Sequence, residues 1–209
     1  MEIIKKNKCK IFYIKTRSLI YCTKASIYSD YTQFNSDKFH PHALKNRGVF
    51  KENPKGLIRL NNKNWDQTGI KFTELLEYKS IYDHYTGKLN WKNSDFALRL
   101  RDNVERGKIV RGFINPIKLL EDREKKIDKL IISISKKGVK PIGSLKNIKK
   151  FNDNISINLG RNSNIYFNNR GHHRLSIAKI LKIKFIPVKI TVTKNLKVLE
   201  KFILDTKHN

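Results

Sequence analysis

Between residues 116 and 192 the spacing of apolar side chains changes from helical to alternating, back to helical, and to alternating again, an order that few folds accommodate. "PIKLLEDREKKIDKLIISISKKG" starts after Pro116, repeats Leu119, Leu120, Ile127, Leu130, Ile131 and Ile134, and ends at Gly138. This predicts one helix, or two joined by a bend. "VKPIGSL" then reads as a short strand. "ISINLG" turns Ile155, Ile157 and Leu159 inward, "NIYF" gives a second strand, and "GRNSN" between them supplies the turn of a hairpin. "HRLSIAKILK" puts Leu175, Ala178 and Leu181 on one helical face, and "FIPVKITV" alternates Ile186, Val188, Ile190 and Val192. Pro187 points to an edge position or the start of that strand. Helix, strand, hairpin, helix and strand in this order define a mixed α+β domain.

Upstream the pattern is less regular. To about residue 65 the chain is rich in Lys, Asn, Tyr and Ser, with turns at "FHPH" (39–42) and "ENPKG" (52–56). "FTELLEYKSIYDHY" predicts a helix that faces a core through Phe72, Leu75, Leu76, Ile81 and Tyr82 and ends at Gly87. "SDFALRLRDNVERG" predicts another, capped by Ser94, with Phe96, Leu98, Leu100 and Val104 among its charges and Gly107 at its end. The 209 residues suit one principal domain. Its expected organisation is a basic, partly irregular N-terminal arm over 1–65, a helical extension packed on the core over 66–125, a core over 126–192 and a C-terminal segment over 193–209.

Lys and Arg number 45 against 18 Asp and Glu, a formal charge of +27. Part of that excess follows from an abundance of Lys, Asn and Ile of the kind A- and T-rich coding produces. The remainder would repel itself unless it met a polyanion, so nucleic acid or a nucleotide is the leading partner class. In the N-terminal stretch Tyr13, Tyr21, Tyr28, Tyr31 and Phe34 alternate with lysines and could stack on single-stranded bases or pack the arm on the domain. Residues 3–29 hold no acid, a composition shared by transit peptides and basic arms; we read an arm. Cys9 and Cys22 lack a CxxC spacing, which fits a reducing compartment, and no apolar run reaches membrane-span length, so a cytoplasmic protein with no membrane partner is expected. His40 and His42 flank Pro41 with no acid or cysteine cluster nearby, which reads as a turn, and no metal site is assigned.

The densest chemistry lies in "NRGHHRLSIAKILKIKFIPV" (169–188). Gly171 precedes the first turn of the predicted helix, where backbone N–H groups and the positive dipole end form an anion site. His172, His173 and Arg174 add imidazole donors and a planar fork suited to phosphate oxygens.

"GRNSNIYFNNRGHHRLSIAKILKIKFIPVKI", preceded by "KLIISISKKGVKPI", resembles the core of the ParB/sulfiredoxin superfamily over about residues 126–192, roughly a third of the chain. The resemblance implies a small mixed sheet with helices and a glycine-containing phosphate motif. Sulfiredoxins carry a cysteine where His172 stands, so their redox reaction is not implied. ParB binds CTP and continues into a DNA-reading domain. ParB-like free-serine kinases share glycine, two histidines and arginine with Gly171, His172, His173 and Arg174. Arg170 stands where those kinases carry an acid, which favours binding over phosphoryl transfer. The resemblance also draws in Gly160 and Arg161, as a ligand contact or as a turn glycine with an exposed arginine. The expected ligand is a nucleoside triphosphate, ATP or CTP with magnesium, or another phosphorylated compound. His172 and His173 are the candidate catalytic residues should phosphoryl transfer or nucleotide hydrolysis occur, with Asp128, Asp153 or Glu200 as the carboxylate. The alternative is a non-catalytic DNA-binding or accessory protein that uses its basic surface.

Overall fold

The computed structural model describes residues 11–22, 58–60, 65–66, 71–143, 151, 153–168 and 170–207. Its elements are β1 (Phe12–Lys15), β2 (Tyr21–Cys22), β3 (Arg59–Leu60), α1 (Leu76–Tyr85), α2 (Asp95–Glu105), α3 (Pro116–Lys137), β4 (Ile155–Leu159), β5 (Ile165–Phe167), α4 (His172–Ile180), β6 (Phe185–Thr193) and α5 (Leu196–Lys207). The mixed α+β class read from the sequence is observed.

The longest alternating run, β6, becomes the centre of a mixed sheet with the order β1-β6-β4-β5-β2. On one side it runs parallel to β4, and β4 and β5 form the predicted antiparallel hairpin. On the other side it meets β1, antiparallel along Phe185–Val188, and β3, parallel at Val192–Thr193. Of the two positions read for Pro187, the strand's start fits better than an edge strand: it is the third residue of β6, ahead of the pairing with β4. It faces Tyr13, and the bond from Thr16 N–H to the Lys184 carbonyl places that pair among the non-hydrogen-bonded ones. The pairing with β4 begins only at Val188, so the missing N–H removes no ladder bond.

The stretch expected as an arm supplies three of these strands. β1 alternates buried Phe12 and Ile14 with exposed Tyr13 and Lys15, and Phe202 of α5 packs edge-on against Phe12 at 5.4 Å. These strands are two to four residues long, too short for a period to show in sequence. Cys22 is a buried thiol whose pKa is raised, first by burial. Cys9, His40, His42, Tyr28, Tyr31, Phe34 and the turns at 39–42 and 52–56 lie outside the described residues.

No strand forms over the described part of "VKPIGSL". Asn154 takes a strand partner's place: its Oδ1 accepts from Ile142 N–H and its Nδ2 donates to the Ile142 carbonyl, each at 2.8 Å. A second departure lies in β6, where the register slips between Ile157 and Asn158 of β4. This bulge turns Val192 away from Ile186, Val188 and Ile190 and into a cluster with Trp65 and Tyr166.

α3 is one helix, capped by the Asn115 side chain on Lys118 N–H and ended at Gly138, φ 65°. Ser94 caps α2 through Ala97 N–H, as predicted. α1 starts later than its periodicity suggests, because Leu75 is extended and separates the helix from a 3-10 turn at Phe72–Glu74. Phe72, Trp91, Phe96, Ile127, Ile155, Ile157 and Phe167 share one core. Tyr82, expected to face the core, is exposed. Among the described residues no helix is long and apolar enough to cross a membrane.

Candidate phosphate site at the start of α4

After β5 the chain stays beside β4: Asn168 N–H donates to the Ser156 carbonyl at 2.9 Å and Ser156 N–H to the Arg170 carbonyl at 3.2 Å. It turns into α4 at Gly171, the N-cap, with φ 78° and ψ 23°. A Cβ there would lie 2.8 Å from Ile155 Cα and 3.0 Å from Ile155 N. The glycine is thus required twice, by its left-handed backbone and by its approach to β4. As a glycine, Gly171 offers no side-chain cap of its own, and the first turn carries the positive end of the helix dipole.

His172 is buried and His173 half-buried, with ring centroids 4.1 Å apart. Phe96 of α2 meets the His173 ring edge-on at 6.2 Å. Arg123 of α3 places its Nη2 3.2 Å from His173 Nδ1 and 3.4 Å from Nε2. Arginine only donates, so the imidazole nitrogen that faces it carries a lone pair. Arg123 is 9 % exposed, and its Nε is buried with no hydrogen-bond partner among the described residues. Burial first, then the like charge of Arg111, brings its pKa down to about 10, against the pull of Asp122.

Arg174 is equally buried. Its Nη2 donates to the Lys140 carbonyl, its Nη1 is buried without a partner among the described residues, and burial lowers its pKa to about 10 while Asp153 opposes. The predicted Gly171, His172, His173 and Arg174 therefore sit together at one helix end. Arg174 also ties that end to the segment leaving α3, a contact its place in the motif does not reveal.

Arg161 belongs elsewhere. It follows the opposite end of β4, where its backbone N–H donates to Asp66 Oδ2 at 2.6 Å and its Nε and Nη2 grip the two carboxylate oxygens at 3.0 and 2.9 Å. Lys194 Nζ lies 3.4 Å from the same carboxylate, and Tyr166 OH donates to the Asp66 carbonyl at 2.7 Å. Burial alone would raise the Asp66 pKa, but the Arg161 donors outweigh it and hold the carboxyl down at about 2. Gly160 is required there by packing, since a Cβ would meet Tyr166 and Asp66 within 2.8 Å. Arg161 is a structural clamp, not a contact of the histidine pair.

Of the three carboxylates considered from sequence, only Asp153 adjoins the motif, where it pairs with Arg170 and acts on Arg174. Asp128 bonds His84 Nε2 at 2.7 Å, Asp153 pairs with Arg170 at 3.3 Å, and Glu200 is exposed on α5. Sequence reasoning passed over Arg123, yet a signal was present: it falls between Leu119 and Ile127 at four-residue spacing, on the buried face of α3. Glu77, fully buried on α1 beside Leu76, was missed in the same way, and its charge acts on Arg111. Tyr13 and Tyr21 are exposed. Among the described residues no group of three or more His, Cys, Asp or Glu is placed to hold a metal.

No family model, curated protein or solved structure matches this chain.

Proposed function

We propose that the protein binds a nucleotide or another phosphorylated ligand at the first turn of α4, through the N–H groups after Gly171, His172, His173, Arg123 and Arg174. Arg123 carries this reading. It is a guanidinium nine-tenths buried, brought across fifty residues onto His173 beside the N-terminus of α4. Burying a cation among imidazoles and near another arginine costs free energy that an anion in the same place offsets. The ParB/sulfiredoxin-like resemblance points to the same turn, with ATP or CTP and magnesium as the ligands to try. Binding is favoured over turnover because Arg170 replaces the acid of the kinase motif and Asp153 is engaged with it.

Thermal unfolding with ATP or CTP and magnesium tests the proposal. Ligand bound only by the folded state raises Tm by mass action. Arg123→Gln removes a charge-assisted contact on the order of 1.5–3 kcal/mol, so at least about tenfold in affinity is lost. A wild-type melting curve that millimolar nucleotide does not move rejects the site.

The formal charge of +27 supports a second reading, a non-catalytic nucleic-acid-binding or accessory role. Backbone contacts spread over many lysines give affinity that falls steeply with salt and depends little on base sequence. Arg123→Gln should leave that binding nearly intact, so the two readings separate on one variant.

A further inference from the structure

The most exposed large apolar side chains among the described residues are gathered in one place. Ile109, Ile114 and Ile117 are 72 %, 78 % and 67 % exposed, and all three belong to the connection from α2 into the first turn of α3. There Val110 and Phe113 exchange both backbone hydrogen bonds, at 3.0 and 2.9 Å, around Arg111 and Gly112, whose φ values of 53° and 86° are those of a tight hairpin turn. Ile109 and Ile114 come next outside this pair, and alternation turns them to the face opposite the half-buried Val110 and Phe113. The Asn115 cap and Pro116 fix where α3 begins, and so where Ile117 stands. Single exposed isoleucines carry little meaning, but three on one connection form a patch that water does not favour.

The surroundings of this patch are cationic. From Arg106 to Lys118 the chain reads "RGKIVRGFINPIK", with four basic residues and no acid. Lys108, Arg111 and Lys118 are exposed, and Arg106 is bridged to Asp102 at 2.9 Å. A second copy of the chain is a poor occupant, because a formal charge of +27 repels its like. Nucleic acid would satisfy the cations, but it would use the isoleucines only by wedging them between base steps. An anionic lipid surface takes both, the headgroups meeting the cations and the boundary beneath them the isoleucines. That no described helix can cross a membrane bears on spanning one, not on lying against it. We propose that this turn docks the protein on an anionic lipid bilayer. Ile109, Ile114 and Ile117 enter the headgroup boundary, and Lys108, Arg111 and Lys118 face the acidic headgroups. The docking surface is independent of the phosphate site at α4.

Co-sedimentation of the full chain with vesicles of phosphatidylcholine alone, and of phosphatidylcholine with about 30 % phosphatidylserine, provides the test at physiological salt, beside a titration with duplex DNA. The wild type should bind the phosphatidylserine vesicles about tenfold or more tighter than the neutral ones. Ile109→Ser, Ile114→Ser and Ile117→Ser combined leave every charge in place, yet should weaken vesicle binding about tenfold or more while DNA affinity stays as it was. Arg111→Gly with Lys118→Gln should cost about tenfold or more on the anionic vesicles, since each basic residue near the surface contributes about fivefold. Both native tryptophans, Trp65 and Trp91, are buried, so Ile114→Trp adds an exposed indole whose emission should shift to the blue on phosphatidylserine vesicles. Should the triple variant fold poorly, Ile114→Trp decides alone. Equal vesicle binding by the wild type and a folded triple variant, or an unshifted emission from vesicle-bound Ile114→Trp, means that charge alone holds the protein and overturns the proposal. A wild type that binds no vesicle overturns it too. A triple variant that loses DNA affinity instead assigns the isoleucines to base steps and rejects the lipid surface.

Discussion

Gly171→Ala distinguishes a glycine that serves a ligand from one that the fold itself requires. The added methyl carbon would sit 2.8 Å from Ile155 Cα, 2.8 Å from its Cγ1 and 3.0 Å from its N. Two of those three atoms belong to the backbone of β4, held between β5 and β6, so they cannot rotate away. Overpacking of this kind costs about 1–3 kcal/mol, and the left-handed backbone adds about 1–2 kcal/mol for a residue with a Cβ. The lower entropy of the unfolded alanine chain returns about 0.4–1 kcal/mol. The net loss is about 2–4 kcal/mol, which for a chain of this size lowers Tm by roughly 5–15 °C. Gly87→Ala is the matched control, since Gly87 has φ 73° and nothing within 4 Å of its absent Cβ. It should lose only the backbone contribution, about 1 kcal/mol or 2–4 °C. Both Tm values are measured by circular dichroism without ligand. If the two variants melted together, or Gly171→Ala melted within about 2 °C of the wild type, the packing explanation would be wrong and the glycine would belong to the ligand alone.

Asp66→Asn should destabilise the protein at neutral pH by about 1–2 kcal/mol, the value reduced because solvent reaches the half-exposed Arg161 and screens the pair. The folded pKa of about 2 lies below the unfolded one, so this stability is present above about pH 4 and is lost as pH falls toward 2. Urea titrations of the wild type and Asp66→Asn should therefore differ at pH 7 and converge near pH 2; a gap that persisted there would show that the carboxylate charge is not its cause. Asn154→Ala removes a fully buried amide that also donates to the Phe151 carbonyl at 2.7 Å, and should cost about 2–4 kcal/mol with faster hydrogen exchange at the Ile142 amide. Unchanged exchange at Ile142 would contradict the strand-like role of Asn154. Arg174→Ala should lower the unliganded stability by about 1.5–3 kcal/mol through the lost Lys140 contact, whereas Arg170→Ala, on a half-exposed pair, should lose less than about 1 kcal/mol. Equal denaturant midpoints for these two variants would refute that ranking.

Arg174 shows why a motif residue resists assignment from its neighbours. Glycine, two histidines and arginine at a helix start suggest four ligand contacts, but the guanidinium also meets a carbonyl thirty-four residues upstream. The exposed arginine of the hairpin, Arg161, behaves similarly: its partner Asp66 is ninety-five residues away. Both are long-range contacts, and no local pattern encodes them.

What the sequence determined by itself was local: α2 with its Ser94 cap, α3, the terminal glycines of both, the β4–β5 hairpin, α4 with Gly171 at its start, and β6. Each of these rests on backbone preferences and side-chain periods that operate within a few residues. Tertiary structure alone decided that Phe12–Lys15, Tyr21–Cys22 and Arg59–Leu60 join the sheet, since strands this short exist only because partners from distant parts of the chain complete their hydrogen bonds. It also decided that Pro187 lies in a strand with partners on both sides, at a point near its start where the missing N–H falls in a gap of the ladder. And it brought Arg123 to the histidine pair: helical spacing told that Arg123 faces inward, but only the packing of α3 against α4 specifies which side chain it meets there.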